Sequence, residues 1–325
     1  MKFFIKNLVK LSYKFAGVYS LKHKFQQNLL KILCYHRFLN STSSSTISRK
    51  YITQDIFARQ INYLKSHFSI KPLEYCISYR DQFGKFPLNT MALTVDDGYE
   101  DFYLYAYPVL KHYGLSATVY LIYDFIEKQR WLWQDIIKYS LRKSHFRKKD
   151  IGYAYGEINT SNHDRLISTQ LKIYNILVAA PISERHQMLS ELIEKLEVEL
   201  PAVPPIEFAP LNWDQIKLMS ENGISFGSHT FSHEVLTTVS VEQMEYEIKD
   251  SKSYIEKKIK LPVNTFCYPH GKLNDVVAET VIRSGYQGAV TGVGVNTQEA
   301  DRVRLRRLYA VRQSQSAFIH GIYQV

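Results

Sequence analysis

Only three cysteines, Cys34, Cys76 and Cys267, occur in the 325 residues, and no two of them stand at CxxC spacing. So odd and sparse a count argues against a disulfide framework and for reduced thiols in a cytoplasmic setting, or for cysteines used as small core residues. No uninterrupted apolar stretch of about 18 residues exists, which argues against a membrane-spanning helix. No G-x-S-x-G is present, so a nucleophile-elbow serine hydrolase has no signature here. The glycine-bearing "TGVGVNT" at 291–297 lacks the Walker lysine and the spacing of a dinucleotide loop, which leaves no phosphate cradle. No internal repeat is visible. Acidic residues are missing from one region altogether: residues 1–54 hold no Asp or Glu.

That last absence locates the charge. The chain has a net charge of +10, from 41 Lys and Arg against 31 Asp and Glu. Ten of the basic residues lie within 1–54, so the remainder is neutral, with 31 of each sign. A basic groove for nucleic acid is therefore not indicated. Lys2, Lys6, Lys10 and Lys14 recur at every fourth position, beside an apolar stripe of Phe4, Leu8, Leu11, Phe15 and Val18. Residues 1–30 thus read as a basic amphipathic segment, able either to lie peripherally on the inner, anionic face of a membrane or to pack on the body with a solvated basic face. The segment is a poor signal peptide, because Lys6 and Lys10 interrupt its apolar run.

A hydrophobic content of 45% with 22% charged residues is ordinary for a globular chain, and the length allows a substantial core. Apolar runs suited to buried strands occur at "KILCYH" (31–36), "MALTV" (91–95), "SATVYLI" (116–122), "ISFGS" (224–228), "VNTFCY" (263–268), "GYQGAV" (285–290) and "VRLRRLYAV" (303–311). Helical patterns lie between most of them. One is expected over 101–113, stopping at Gly114, with a kink at Pro108. Another starts at Ser240, with Gln243 at capping-box spacing. "NSTSSSTIS" (40–48) reads as a polar loop. From about 124 to 208 the alternation stops, and helices and loops run to the stiff "PAVPP" at 201–205. The expectation is α/β: a parallel sheet, open or closed into a barrel, spanning 31–325 and interrupted by a helical insert at about 124–208.

In such folds sites gather at the C-terminal ends of strands. Asp96, Asp97, His229, His233 and His270 all follow expected strands. "ALTVDDGYEDFY" (92–103) ends an apolar strand with two adjacent carboxylates that repel one another, which a bound cation would relieve. "GSHTFSH" (227–233) sets two histidines four apart, on one face if the segment is helical. Two imidazoles and one carboxylate make a three-ligand set that leaves a position open for water or substrate. The neighbouring carboxylate can then accept a proton, which is equipment for hydrolysing an amide or ester without a covalent intermediate.

"LTVDDGY", "SHTFSH" and "FCYPHG", in that order, resemble the polysaccharide deacetylases of carbohydrate esterase family 4, the NodB-homology domain, and more closely its exopolysaccharide-biosynthesis branch. There an early "YH", a Trp-bearing segment and an "LxW" recur, here Tyr35-His36, Trp131 with Trp133, and Leu211 with Trp213. The resemblance implies a distorted (β/α) barrel and removal of acetyl groups from an amino-sugar oligomer or polymer with a divalent metal. Zinc is the default, and cobalt, nickel or iron would also suit the ligands. It implies Asp96 as general base and Asp97, His229 and His233 as metal ligands. Tyr268, Pro269 and His270 would form part of the groove wall, a backbone N–H near His270 would face the oxyanion, and Trp213 would line the groove. Two departures stand out. The family arginine that pairs with the base is replaced by Cys267, leaving Arg304, Arg306 or Arg307 as substitutes. No C-terminal Leu-x-x-His is present and His320 fits the pattern badly, so His36 is the candidate general acid. A catalytically silent carbohydrate-binding protein on the same fold is the rival reading.

Overall fold

A computed structural model describes residues 17–41, 51–129, 131–152, 154–310 and 314–324. The lysine stripe at 2–14 and most of the 40–48 loop lie outside them. Among the described residues twelve strands follow in chain order: β1 (Lys31–Tyr35), β2 (Arg37–Leu39), β3 (Tyr51–Thr53), β4 (Ser69–Ile70), β5 (Thr90–Val95), β6 (Thr118–Leu121), β7 (Lys148–Asp150), β8 (Glu157–Asn159), β9 (Ser225–Ser228), β10 (Thr265–Cys267), β11 (Gly288–Val293) and β12 (Leu305–Tyr309). Seven of them pair in the order β1-β12-β11-β10-β9-β6-β5, all parallel, and β1 also pairs with β5. The sheet therefore closes into a seven-stranded barrel, with β4 alongside the start of β5.

Side-chain alternation along each strand sorts the residues. Leu33, Tyr35, Leu93 and Val95 face outward and pack in the large core shared with the surrounding helices. Ile32, Ala92, Tyr120, Cys267, Val290 and Leu305 form a separate buried cluster inside the barrel. Two residues further along come Cys34 on β1, Thr94 on β5 and Arg307 on β12. Arg307 reaches Thr94 Oγ1 at 3.2 Å and Cys267 Sγ at 3.3 Å, across strands that are not neighbours, so it lies within the barrel. The interior thus changes from apolar to polar toward the C-terminal ends. Gly227 is required here: a Cβ would stand 2.5 Å from the Tyr120 ring and 2.8 Å from the Thr265 carbonyl.

The helix expected over 101–113 begins as a π-turn, Phe102–Ala106, and becomes α-helical at Tyr107–Tyr113 before a left-handed Gly114. Pro108 has no N–H to donate, and the wider turn directly before it accommodates that loss.

The insert has a core of its own. Trp133, Ile137 and Leu141 from the helix Trp133–Lys143, Ile173 and Leu177 from His163–Ala179, and Leu189 and Leu192 from Ile182–Lys195 with Leu196 just after it pack together with Ile151, Tyr155 and Ile158. It also contains an antiparallel ladder, β7 with β8, where the sequence pattern suggests only helices and loops. Among the described residues no helix is long and apolar enough to cross a membrane.

Candidate metal and catalytic site

The paired carboxylates emerge from β5, whose six residues are all buried. Asp96 continues the strand's inward alternation and is itself buried. Asp97 has φ 76° and Gly98 φ 83°, so the chain turns back at once and aims the two carboxylates at different groups. A side chain at 98 would be strained by that φ and would press on Leu121 and Ile126 at about 3 Å, which explains the glycine.

The histidine segment is not helical. His229 leaves the end of β9, and Thr230 and His233 both have left-handed φ, 69° and 65°. This tight non-helical turn, instead of the helix face considered from the spacing, brings the rings to 4.7 Å between centroids. Four of the eight non-glycine residues with positive φ among those described lie at this site: Asp97, Thr230, His233 and His270. Such backbone costs of order 1–3 kcal/mol each, and it persists where surroundings over-determine it. Here the restraint is Glu247, a fully buried residue. Its carboxylate accepts from the N–H groups of Phe231 (2.9 Å) and Ser232 (2.8 Å) and from the Ser232 hydroxyl.

His229 Nε2 and His233 Nε2 each stand 3.6 Å from Asp97 Oδ1. Donors on a tetrahedral zinc with bonds of about 2.1 Å are about 3.4 Å apart, so both His–Asp separations suit a shared cation. The opposite nitrogens are engaged elsewhere: His229 Nδ1 lies 2.6 Å from the Cys267 carbonyl and His233 Nδ1 2.8 Å from Gln134 Nε2. Two other clusters have ligand atoms equally close, Cys34–His36–Asp96 and Asp96–His229–Cys267. They suit a cation poorly. Arg307 already neutralises Asp96, and burial pushes the Cys267 thiol well above its ordinary range, away from the thiolate a metal needs.

Asp96 is gripped by Arg307, with Nη1 to Oδ1 at 2.6 Å and Nη2 to Oδ2 at 2.8 Å. Burial alone would raise its carboxyl. The Arg307 guanidinium foremost, then His36, outweighs burial and holds it well below the usual carboxylate range. Of the three arginines considered for the missing charge, Arg307 makes this contact. Arg304 pairs with Asp275 and Asp301 instead. Cys267 occupies the corresponding place on β10, its small thiol leaving room for the guanidinium from β12. His36 follows β1 directly, with Nε2 at 3.5 Å from Asp96 Oδ2 and Nδ1 at 3.7 Å from the Cys34 sulfur. His320 is held by Tyr19 in a cluster with Tyr323. Tyr323 also lies against Lys31, at the start of β1 and so at the other end of the barrel.

The family profile described as polysaccharide deacetylase matches residues 84–289. The chain belongs to the polysaccharide deacetylase family. It is 26% identical over 223 residues to the poly-beta-1,6-N-acetyl-D-glucosamine N-deacetylase of Staphylococcus aureus, covering 63% of this chain and 73% of that protein. It is 24% identical to YxkH of Bacillus subtilis over 69% of this chain, and spans about half the length of that relative. Among solved structures, the Streptococcus pyogenes deacetylase PplD, in complex with acetate, aligns with a TM-score of 0.61 at 20% identity, over 91% of this chain and 98% of that one. IcaB from Ammonifex degensii aligns at 0.58 and 17% identity, over 92% and 98%. These likenesses establish the deacetylase barrel.

Within that barrel the wall residues divide. His270 (φ 56°) meets His233 edge-on at 4.8 Å between ring centroids, and its Nδ1 is 2.5 Å from the Tyr174 hydroxyl. Pro269 is buried beside it. Tyr268 does not present its ring to a groove: it is buried and its hydroxyl donates to the Val303 carbonyl, because the residue continues β10 on the outward side. Trp213 is half-buried, packs on Tyr123 and donates to Glu127, in a cluster with Phe231 and Tyr254. That arrangement is packing behind the histidine loop and not an open sugar platform. Trp131 belongs to the insert, with Tyr139 and Phe208. Trp133 is the tryptophan that borders the site, stacked on Tyr174 and 6.2 Å from His270. Motif reading overlooks Gln134, Tyr174 and Glu247, which come from elements other than those that carry the motifs. Arg307 has a local signal: alternation in β12 puts residues 305, 307 and 309 on one face and Arg306 on the other.

Proposed function

We propose that the protein is a metal-dependent hydrolase that removes acetyl groups, N-linked ones foremost, from an amino sugar of a cell-surface polysaccharide or of its lipid-linked precursor. The convergence of Asp97, His229 and His233 beside an Asp96 kept ionised by Arg307 carries this reading. A divalent cation held by those three residues, zinc by default and cobalt, nickel or iron by the same donor set, would polarise the acetyl carbonyl and acidify a water. Asp96 accepts the proton of the attacking water as general base. His36 donates a proton to the departing nitrogen as the C–N bond breaks, giving acetate and a free amino sugar. The backbone at Pro269–His270 borders the position of the developing oxyanion, and His270 faces the sugar. The name of the staphylococcal relative supports a poly-N-acetylglucosamine-like substrate, and that of the family an acetylated polysaccharide. Residues 1–30, with their lysines, would bring the enzyme to the inner, anionic membrane face from the cytoplasm. A silent carbohydrate-binding role drew support from Cys267 replacing the family arginine, and Arg307 supplies that charge from another strand.

Acetate release from a β-1,6-linked N-acetylglucosamine oligomer tests the proposal. The expected result is turnover that a chelator abolishes and added Zn²⁺ or Co²⁺ restores. Absence of turnover on N-acetylated and O-acetylated oligomers alike, in metal-loaded protein, would favour the silent reading.

A further inference from the structure

We infer that Gln134, on the first long helix of the insert, is a positioning residue that sets the tautomer of His233 and so gives the insert a direct hold on the cation site. The inference rests on the reading of His233 as a metal ligand. The two histidines are held from behind in different ways. His229 Nδ1 meets the Cys267 carbonyl at 2.6 Å, and a carbonyl only accepts, so the proton is on Nδ1 and the Nε2 lone pair is directed toward Asp97. His233 Nδ1 meets a side-chain amide, Gln134 Nε2, at 2.8 Å. An amide nitrogen donates, so in this arrangement Nδ1 accepts and the ring proton sits on Nε2, 3.6 Å from Asp97 Oδ1. That is the tautomer suited to the site without its cation.

Gln134 Oε1 is buried and has no hydrogen-bond partner among the described residues. Rotating the terminal amide by half a turn exchanges Oε1 for Nε2 with no change of shape. Oε1 then accepts from Nδ1–H, and the Nε2 lone pair of His233 becomes available to a cation. Glutamine therefore supports both tautomers where a carbonyl supports one. Its location is fixed by the insert: Trp133 next to it stacks on Tyr174, and buried Arg185 pairs with Glu234, the residue after His233. Partners of this kind behind a ligating histidine are worth about 10–100-fold in metal affinity.

The test is Zn²⁺ affinity of the full chain, by competition with a chelating indicator, for wild type, Gln134→Leu, Gln134→Glu and His233→Ala, with ¹⁵N NMR of the His233 ring in the metal-free proteins. Gln134→Leu should bind about 10–100-fold more weakly. Gln134→Glu, an acceptor only, should bind at least as tightly as wild type, with its metal-free His233 protonated on Nδ1 where wild type is protonated on Nε2. Metal-free thermal melts check folding, and should the leucine variant fail to fold, the glutamate variant and the ring tautomers decide. A leucine variant with wild-type affinity, or a glutamate variant without the tautomer change, overturns the inference alone. If wild type and His233→Ala bind Zn²⁺ equally poorly, the functional reading falls with it.

Discussion

At the scale of single residues, the decisive pairing is Asp96 with Arg307. A general base must be ionised, and burial opposes that. Arg307 reverses the balance, so Asp96 remains a carboxylate across the working range and the acid limb of activity belongs to some other group. Substituting Arg307 by Met leaves burial dominant. The expected outcome is a loss of about 10²-fold or more in kcat/KM and an acid limb displaced to higher pH, read from the pH profile. Adding Cys267→Arg to that variant should restore part of the activity, since the β10 position then offers the same charge. A double variant as inactive as Arg307→Met would contradict the replacement. The two aspartates and two histidines were legible in the sequence because each pair is local, a strand end and a four-residue turn. Arg307 was read only as one of three, although the alternation of β12 separates it from Arg304 and Arg306. Gln134 and Glu247 were not, since their roles exist only after segments about 100 and 15 residues away have docked.

At the scale of elements, the parallel sheet was legible in the residue pattern, its closure into a barrel only through the family resemblance, and the insert only partly. Each strand's apolar run carries its own signal, and parallel pairing follows from the intervening helices. The insert's docking depends on contacts with no periodicity: Tyr174 with His270, Gln134 with His233, and Arg185 with Glu234. Trp213 illustrates the same limit, since composition cannot tell a sugar platform from a ring that packs on Tyr123. The Arg185–Glu234 pair is buried on both sides, so removing one partner strands a charge. Arg185→Met should cost about 3–5 kcal/mol in urea unfolding, whereas Arg185→Met with Glu234→Gln should recover most of it. Equal losses in the single and double variants would mean that the arginine acts through packing and not through its charge.

For the whole molecule, closure of the sheet is what assembles the site. The family match covers 84–289, yet His36 and Arg307 lie on either side of it. They reach Asp96 because β1 pairs with both β5 and β12. At the far end of the same strand Lys31 is buried under Tyr323 and bonded to Gln26, and burial first, then Lys22, lowers its amine to about 8 from 10.5. The unfolded chain therefore holds that proton more tightly. Lys31's contribution to stability is at its lowest below about pH 8 and rises as pH climbs toward 10.5. Lys31→Met should raise the melting temperature at pH 7, with the gain narrowing toward pH 10. A gain that does not change with pH would argue against a strained ammonium.

The central claim is that one cation is shared by Asp97, His229 and His233, and metal content by elemental analysis tests it most directly. After reconstitution with Zn²⁺ and removal of excess, wild type should retain about one equivalent, and Asp97→Ala and His229→Ala should each lose it while remaining folded. Equal metal content in all three proteins, whether one equivalent or none, would contradict the account.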